Sequence, residues 1–470
     1  MNTSRLAEAL SSLSRTELRQ FSNFLRSPYF NNRSEVIRFY EAIKPYYPKF
    51  DLKRSDLESI FTKVYPKKKF SDVLMRKLFS LTINLFTEFI TINGFREDKL
   101  EFNIRMLDKL REKKLPRLFE KKSPQFTDLL QRSTNNIGYY EAKLKYTSIL
   151  NGHFLNTNEK SMVSRLQNEL DDFIEYFLTV VFLLYLRLSE WSRGMNVKFD
   201  LKFYDEVVNY YSTQRTDDVS LAALYYNMLM LLNTEDEKYY FDLMECRNKF
   251  EKKLAKIDDF NIAIVSMQFC HKKVMKGHSE YRKHQLDINK EMLKKNLIPA
   301  GFVDPYFFTN TVRNAVNIKE YKWSENFINE YKERLNPGIA NDIIDYSHAM
   351  IEFGKGKYEN SLMRLSQINI ERSNIKLDIR NLMIMNYYEL DYKLELESLI
   401  DSYKHYLQRD KTINPLTKNM SSLFVNFVSD LLKVDQKSNK NSLHVLKKTI
   451  AAESHFNMKD WLMKKFDELK

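Results

Sequence analysis

Few residues in this sequence have the types and spacing that catalysis or phosphate binding requires. The segment Gly354-Lys355-Gly356-Lys357 comes closest to a phosphate-binding loop, but it lacks the spacing Gly-x-x-x-x-Gly-Lys-Ser/Thr and follows no strand pattern. We therefore expect these glycines to form a turn, where a residue without a side chain is often needed. The sequence contains no Glu-x-x-His, His-Glu-x-x-His or Gly-x-Ser-x-Gly motif, so it offers no recognisable catalytic or two-metal site.

The two cysteines, Cys246 and Cys270, are too few for a disulfide framework and fit a reducing compartment. Cys270 and His271 form, with His278 and His284, the only cluster of cysteine and histidine. On a helix, Cys270 lies on an apolar stripe and His271 is turned away from it by about 100°, so the pair does not converge on a metal. We expect two buried, reduced cysteines that bind no metal. A Cys–His catalytic pair is the alternative.

Acidic residues are also grouped, at Glu169, Asp171, Asp172 and Glu175. Without a histidine, such a group is more often a solvated helix face than a metal site. We therefore expect no metal, no cofactor and no enzymatic activity, and an enzyme of unrecognised type stays as the third hypothesis.

Positive charge is concentrated near the N-terminus. Residues 1–122 contain 26 Lys and Arg against 15 Asp and Glu, so they carry +11 of the net +13 of the chain. Such a patch binds nucleic acid or an acidic protein, or it is a solvated surface. The candidate electrostatic contacts in its densest part are Lys67, Lys68, Lys69, Arg76 and Lys77.

The elements that hold these residues are helices. Glycine (9 residues) and proline (10 residues) are scarce, whereas 43% of the 470 residues are hydrophobic, which suits a helical core rather than turn-rich sheets. The most apolar runs, Phe177–Leu186 and Val219–Leu232, are shorter than the ~20 residues that a membrane span needs. The start of the chain lacks the apolar core of a signal peptide. We expect a cytoplasmic protein with no membrane partner.

Local signals delimit the helices of the N-terminal quarter. Ser14 and Glu17 form a capping box, prolines follow the ends of the next helices, and Asn93-Gly94 is a C-terminal stop. Along the last of these helices, polar residues recur every three or four positions opposite a leucine-rich face. The predicted helices are Arg15–Leu25, Ser34–Ile43, Ser55–Val64 and Phe70–Asn93, with a further helical pattern over Leu100–Phe119.

The rest of the chain is also helical in pattern. No proline occurs between Pro124 and Pro299, and Ser161–Ser192 is predicted to be one long helix. Val219–Leu232 is apolar on nearly all sides and must be surrounded by other helices. The helix after it is predicted to begin at a second capping box, Thr234-Glu235-Asp236-Glu237. No strand-like alternation of useful length occurs, so the predicted fold class is all-α.

Three segments in the C-terminal third repeat a pattern of helix, short turn with tyrosine, and helix. Their tyrosines, Tyr321, Tyr358 and Tyr392, are 37 and 34 residues apart. This pattern resembles the tetratricopeptide repeat, whose period is about 34 residues. The chain is also similar to a group of helical proteins from Bacteroidota in its segments FLRSPYFN and EYKWSENFINEY, which implies a class and no activity.

The resemblance implies how neighbouring helices pack. In tetratricopeptide repeats a small residue of the first helix packs on the small residue that opens the second. Ala349 and Ser361 match those positions, and Phe353 and Leu365 match the larger packing residues. The implied architecture is a right-handed α-solenoid of antiparallel helix hairpins over residues 123–470, behind a basic helical N-terminal domain of residues 1–122.

The expected function is that of a non-enzymatic scaffold or adaptor. A solenoid exposes a surface that binds an extended peptide or a helix of a protein partner. The 28 tyrosines suit such a surface, or pack only in the core. Pairs such as Tyr225-Tyr226 and Tyr239-Tyr240 are expected to place one ring inside and one at the rim. The alternative function is a nucleic-acid-associated regulatory protein that uses the basic N-terminal domain.

Overall fold

The protein, analysed as a computed structural model, is helical. Residues 3–154, 159–195, 197–214, 219–250, 253–298, 301–368, 373–411, 413, 415–437, 440–453, 456 and 458–468 are described. These residues form 23 α-helices and no strand, with one isolated bridge between Asn135 and Leu254. The prediction of an all-α fold is therefore confirmed for this part of the chain.

In chain order the helices are α1 (Thr3–Ser11), α2 (Arg15–Arg26), α3 (Ser34–Ile43), α4 (Arg54–Val64), α5 (Asp72–Glu97), α6 (Lys99–Glu112), α7 (Pro116–Arg132), α8 (Ile137–Phe154), α9 (Glu159–Met195), α10 (Tyr204–Gln214), α11 (Leu221–Thr234), α12 (Glu237–Phe250), α13 (Lys256–Met275), α14 (Tyr281–Lys294), α15 (Pro305–Asn317), α16 (Tyr321–Tyr331), α17 (Ala340–Gly354), α18 (Tyr358–Leu365), α19 (Ser373–Glu389), α20 (Lys393–Arg409), α21 (Pro415–Lys437), α22 (Lys440–Ala452) and α23 (Lys459–Glu468).

The chain divides into two compact units. Unit 1 contains Met1–Ser133 and Gly138–Ile174, and unit 2 contains Thr134–Ile137 and Glu175–Lys470. The predicted boundary after Lys122 falls within α7, a helix of unit 1. The boundary after Lys122 marks the end of the basic region of the sequence. As a boundary between domains it stays a prediction.

Unit 1 begins with five helices around one apolar core, because each helix has a face rich in leucine and phenylalanine. The predicted capping box is present at α2, where the Glu17 N–H donates to Ser14 Oγ and the Ser14 N–H donates to the Glu17 carboxylate. Phe21 lies inside, in edge-to-face contact with Tyr40 and Phe86. The predicted ranges of α2, α3 and α4 are confirmed to within one residue at each end.

The helix α5 differs from its prediction at its end and in its buried face. It continues through Gly94 for three more residues, and the Asp98 N–H donates to the Gly94 carbonyl. A glycine ends a helix by adopting a left-handed conformation, and Gly94 does not have a positive φ. Leu74, Leu81 and Leu85 are half-buried at the edges of the buried face, which consists of Met75, Leu78, Phe79, Thr82, Phe86 and Phe89.

α5 is also the one described helix that is long and apolar enough to cross a membrane. Sequence reasoning identified two other apolar stretches, Phe177–Leu186 and Val219–Leu232, and did not identify this one. Core helices pass the same test of length and composition, and α5 supplies six buried side chains to the core of unit 1. The test is therefore weak support for a membrane span.

Unit 2 contains a helix that is surrounded, as its composition predicts. Eleven of the 14 residues of α11 are buried, and its N-cap is Ser220, whose hydroxyl accepts from the Ala223 N–H. The prediction of a capping box at Thr234 is wrong, because Thr234 is the last residue of α11. Glu235 then adopts a left-handed conformation (φ 57°), and the Asp236 carboxylate accepts from the Lys238 N–H at the start of α12.

From α11 onward, helices of unit 2 pack against the next helix and often against the one after it. α11 contacts α12 and α13, α15 contacts α16 and α17, α17 contacts α18 and α19, and α21 contacts α22 and α23. Their apolar faces form two large clusters, one that includes Phe308 and Tyr346 and one that includes Tyr403 and Phe424. This packing leaves the α13, α15, α17 and α19 side chains along one cavity.

Candidate functional site

The main candidate site is a cavity of about 470 Å³ in unit 2. It is lined by α13, α14, α15, α17 and α19, by Phe456 and Met458, and by the first three residues of α23. The volume falls within the roughly 300–1,000 Å³ of pockets that bind small ligands or anchoring side chains.

Methionines form much of the apolar wall. Met267 and Met275 come from α13, Met350 from α17 and Met385 from α19, and Met458 precedes α23. Unbranched and polarisable, methionine adapts its shape to different apolar groups. This wall can therefore accept apolar side chains of more than one shape.

Amide side chains form the polar part of the wall. Gln268 lies on α13, Gln285 on α14, and Asn310, Asn314 and Asn317 recur at intervals of four and three residues on α15. Gln285 is 4% exposed and Asn314 is 7% exposed. Within the described residues, no hydrogen-bond partner is found for either amide, so both retain donors and acceptors for a bound molecule.

The charged side chains of the lining are paired. Arg282 of α14 forms a salt bridge with Asp460 of α23, and Lys459 donates to two backbone carbonyls. Arg313 donates to the Asp378 carboxylate at 2.9 Å and to the Tyr346 hydroxyl at 3.1 Å. Burial lowers the pKa of Arg313, but Asp378 and Tyr346 together raise it by more, so the guanidinium stays charged. Each charged group of the wall thus already has a partner within the protein.

The four residues predicted to pack the repeat lie around the contact of α17 with α18. Ser361 and Ala349 are fully buried, and Ser361 Oγ donates to the Ala349 carbonyl at 2.9 Å. Leu365 is 2% exposed, and Phe353 is half-buried and lines the cavity. The structure brings Ala349 and Ser361 together across the two helices.

The glycine-rich segment that follows α17 forms a turn, as expected. Gly356 has φ +77°, a conformation that glycine adopts without strain. Lys355 pairs with Glu325 at 2.6 Å. A phosphate site at this segment finds no support.

The predicted electrostatic contacts lie in unit 1, at the end of α5 nearest its N-terminus. All five are exposed, and no ion pair joins any of them to another described residue: Lys67, Lys68, Lys69, Arg76 and Lys77. Asp72, the nearest acid in the sequence, pairs instead with Arg54. The charge of this cluster is therefore available to an external partner.

Both cysteines are buried, as predicted. Cys246 is 8% exposed and Cys270 is fully buried. Burial raises the pKa of the Cys270 thiol to about 12, although a hydrogen bond from Tyr240 favours the thiolate. The Tyr240 hydroxyl also lies 3.1 Å from Nδ1 of His284. A protonated, inaccessible thiol is a poor nucleophile, which argues against the Cys–His catalytic alternative.

The acidic group on α9 is not simply solvated, contrary to expectation. Asp172 accepts from Thr147 at 2.6 Å and pairs with Lys143 at 2.9 Å, both on α8. Glu169 accepts from the Asn151 amide. These contacts fasten α9 to α8 in unit 1, around a second cavity of about 500 Å³. No group of residues in the described part of the chain is arranged to hold a metal.

The tyrosine pairs only partly follow the expected division between core and rim. Tyr240 is buried while Tyr239 is half-buried, but Tyr225 and Tyr226 are both buried. The second pair departs from the pattern because α11 is enclosed, so neither face reaches a rim. No member of these two pairs lines the cavity.

Sequence reasoning did not find the cavity amides. The one available signal was the spacing of Asn310, Asn314 and Asn317, which places three amides on one face of α15. A comparison of the chain with protein-family models, curated proteins and solved structures finds no match.

Proposed function

We propose that the protein is a non-enzymatic, cytoplasmic adaptor whose second unit binds a peptide or helix of a protein partner. The proposal treats unit 2 as a right-handed α-solenoid similar to tetratricopeptide repeats. It is supported by the contacts of α11, α15, α17 and α21 with both the next helix and the one after it, and by the two small residues that meet between α17 and α18. Proteins of that architecture bind partners on the surface formed by alternate helices.

The observation that carries this proposal is the cavity of about 470 Å³ along α13, α15, α17 and α19. Its wall combines apolar side chains with two buried amides, Gln285 and Asn314, for which no hydrogen-bond partner is found among the described residues. Main-chain peptide groups need both a donor and an acceptor, which an amide side chain supplies. A peptide with an apolar anchor would satisfy both parts of the wall.

The proposal is tested by selecting random peptides, displayed on phage, against the full chain. A blocked variant, Asn317→Trp, places a large side chain at an exposed position of α15 that lines the cavity. The matched control, Asn326→Trp, places the same side chain at an exposed position on α16 outside the cavity. We expect peptides that bind the natural chain and the control and lose at least about tenfold in affinity for the blocked variant. If every selected peptide binds all three chains equally, the cavity is not the binding surface.

A second candidate function, association with nucleic acid, is favoured by the exposed, unpaired basic cluster of unit 1. A charge-neutral variant tests it, with these residues replaced by Gln or Ser: Lys67, Lys68, Lys69, Arg76 and Lys77. The control replaces five exposed lysines of unit 2: Lys198, Lys238, Lys253, Lys256 and Lys322. We expect single-stranded and duplex oligonucleotides to bind the control more tightly than the neutral variant, and to dissociate as salt rises. Equal binding by both variants would show that the basic cluster is a solvated surface and not a nucleic-acid-binding site.

A further inference from the structure

We infer that the cavity of unit 2 selects a short, uncharged, apolar peptide segment and binds its main chain through Gln285 and Asn314. This inference rests on the proposed function and adds the chemical class of the partner. It excludes partners that dock through a charged anchor, although the chain as a whole is strongly basic.

The first argument concerns the two buried amides. Gln285 and Asn314 are more than nine-tenths buried, line the cavity and find no hydrogen-bond partner among the described residues. Buried polar groups are nearly always hydrogen-bonded, since an unpaired one loses its interaction with water without compensation. By contrast, the buried amide of Asn386 donates to Ser361 Oγ and to the Leu382 carbonyl. The amides of Asn227 and Asn289 also lack a partner among the described residues but lie outside the cavity lining. What distinguishes Gln285 and Asn314 is that they line the cavity, where a bound molecule can take up their hydrogen bonds.

The second argument concerns charge. Each of the four charged side chains in the lining already has a partner: Arg282 and Asp460 pair with each other, Arg313 pairs with Asp378, and Lys459 donates to backbone carbonyls. A basic side chain of a partner would lose its hydration without finding a free carboxylate, and an acidic one would have to draw Lys459 from its two backbone carbonyls. The cavity therefore disfavours either sign of charge.

The third argument concerns volume. One turn of an α-helix, about 10 Å wide and 5.4 Å long, occupies roughly 400 Å³. The cavity of about 470 Å³ thus holds three or four residues, on the order of one helical turn. Its methionine wall can adapt to apolar anchors of different shapes.

The test uses the full chain with Gln285→Leu and, separately, Asn314→Leu. Leucine keeps the approximate volume of each side chain and removes its hydrogen bonds. Peptides selected on the natural chain should bind each variant at least about tenfold more weakly, whereas the melting temperature should stay the same or rise. The control Asn386→Leu removes an amide that is bonded within the fold, so it should lower the melting temperature.

The peptides themselves provide the second measurement. We expect the cavity-dependent peptides to share two or three uncharged apolar residues, and their affinity to change less than about twofold between low and moderate salt. Replacing one apolar anchor by Asp or by Lys should weaken binding at least about tenfold.

The outcomes separate the inference from the proposed function. If the peptides depend on the cavity but carry a charged anchor, or bind Gln285→Leu and Asn314→Leu at full affinity, the inference is overturned and the proposed function stands. If no peptide distinguishes Asn317→Trp from Asn326→Trp, the proposed function fails, and the inference fails with it.

Discussion

At the scale of residues, Ser361 joins three helices of unit 2. Its hydroxyl donates to the Ala349 carbonyl of α17 and accepts from the Asn386 amide of α19 at 3.0 Å. The residue is fully buried, so a larger side chain would displace both neighbours. The small residue is thus required both by the close approach of the helices and by the hydrogen bonds.

We predict that Ser361→Arg lowers the free energy of unfolding by about 3 kcal/mol or more, because a long charged side chain is overpacked and unpaired there. Ser366→Arg is the control, since Ser366 is exposed at the end of α18. Urea denaturation of both variants measures the difference. Equal stabilities would show that α17 and α18 do not meet at Ser361.

A buried charge network ties α12, α13 and α14 together. The Arg247 side chain, 2% exposed, pairs with Asp259 and with Glu291, and Lys295 pairs with both acids. Removing one member of such a network leaves another charge buried with fewer partners.

We therefore predict that Arg247→Met costs about 3 kcal/mol of stability. Lys433→Met, which removes an exposed ion pair with Asp430, should cost less than about 1 kcal/mol. Thermal or urea unfolding compares the two. A loss at Arg247 as small as that at Lys433 would mean that the network contributes nothing to folding.

At the scale of elements, three hairpin turns of unit 2 share one geometry. Lys319, Gly356 and Asp391 each have a positive φ, and the amide of the next residue donates to a carbonyl five positions earlier at 2.9 Å. This is the hydrogen bond of a Schellman cap. Tyr321 and Tyr358 come two residues after the cap, but Tyr392 comes one residue after it, so the tyrosine spacing was an imperfect guide to the repeat.

A close approach between hairpins is made at Gly354. A Cβ there would lie 2.7 Å from Val316 Cγ1 and 2.9 Å from Tyr321 Cε1, whereas nothing lies within 4 Å of the equivalent position at Gly94. Gly354→Ala should therefore destabilise the protein by about 1–3 kcal/mol. Gly94→Ala, within α5, should stabilise it by about 0.5–1 kcal/mol. Melting temperatures that shift in the same direction for both variants would contradict this account of the packing.

The turn between α11 and α12 carries a carboxylate that ties it to α13. Hydrogen bonds from Lys272 and Lys276 lower the pKa of Glu235 from 4.5 to about 2. Because the pKa is lowered in the folded state, the stabilisation is complete above about pH 5 and disappears as the pH falls toward 2.

We predict that Glu235→Gln costs about 1 kcal/mol at pH 7, a modest value because the side chain is partly exposed. The difference from the natural chain should shrink as the pH falls below 4.5 and vanish near pH 2. Urea unfolding at several pH values measures it. A difference that does not depend on pH would rule out the carboxylate as its source.

At the scale of the whole molecule, the sequence predicts helices well because their signals are local. The capping box at Ser14 and the burial of α11 can each be predicted from a short stretch of neighbouring residues. The cavity was not predictable in this way, because its wall joins residues far apart in the chain, such as Arg282 and Asp460. No periodicity within one helix reveals which distant helix it faces.

The central claim, that unit 2 binds its partner in the cavity, is tested most directly by hydrogen exchange of the full chain. Mass spectrometry would compare the chain alone with the chain saturated by a selected peptide. We predict slower exchange in α13, α15, α17 and α19, and unchanged exchange in α1 to α5, because a bound peptide suppresses local opening only where it makes contacts. Slower exchange confined to α4 and α5, around the basic cluster, would contradict the claim.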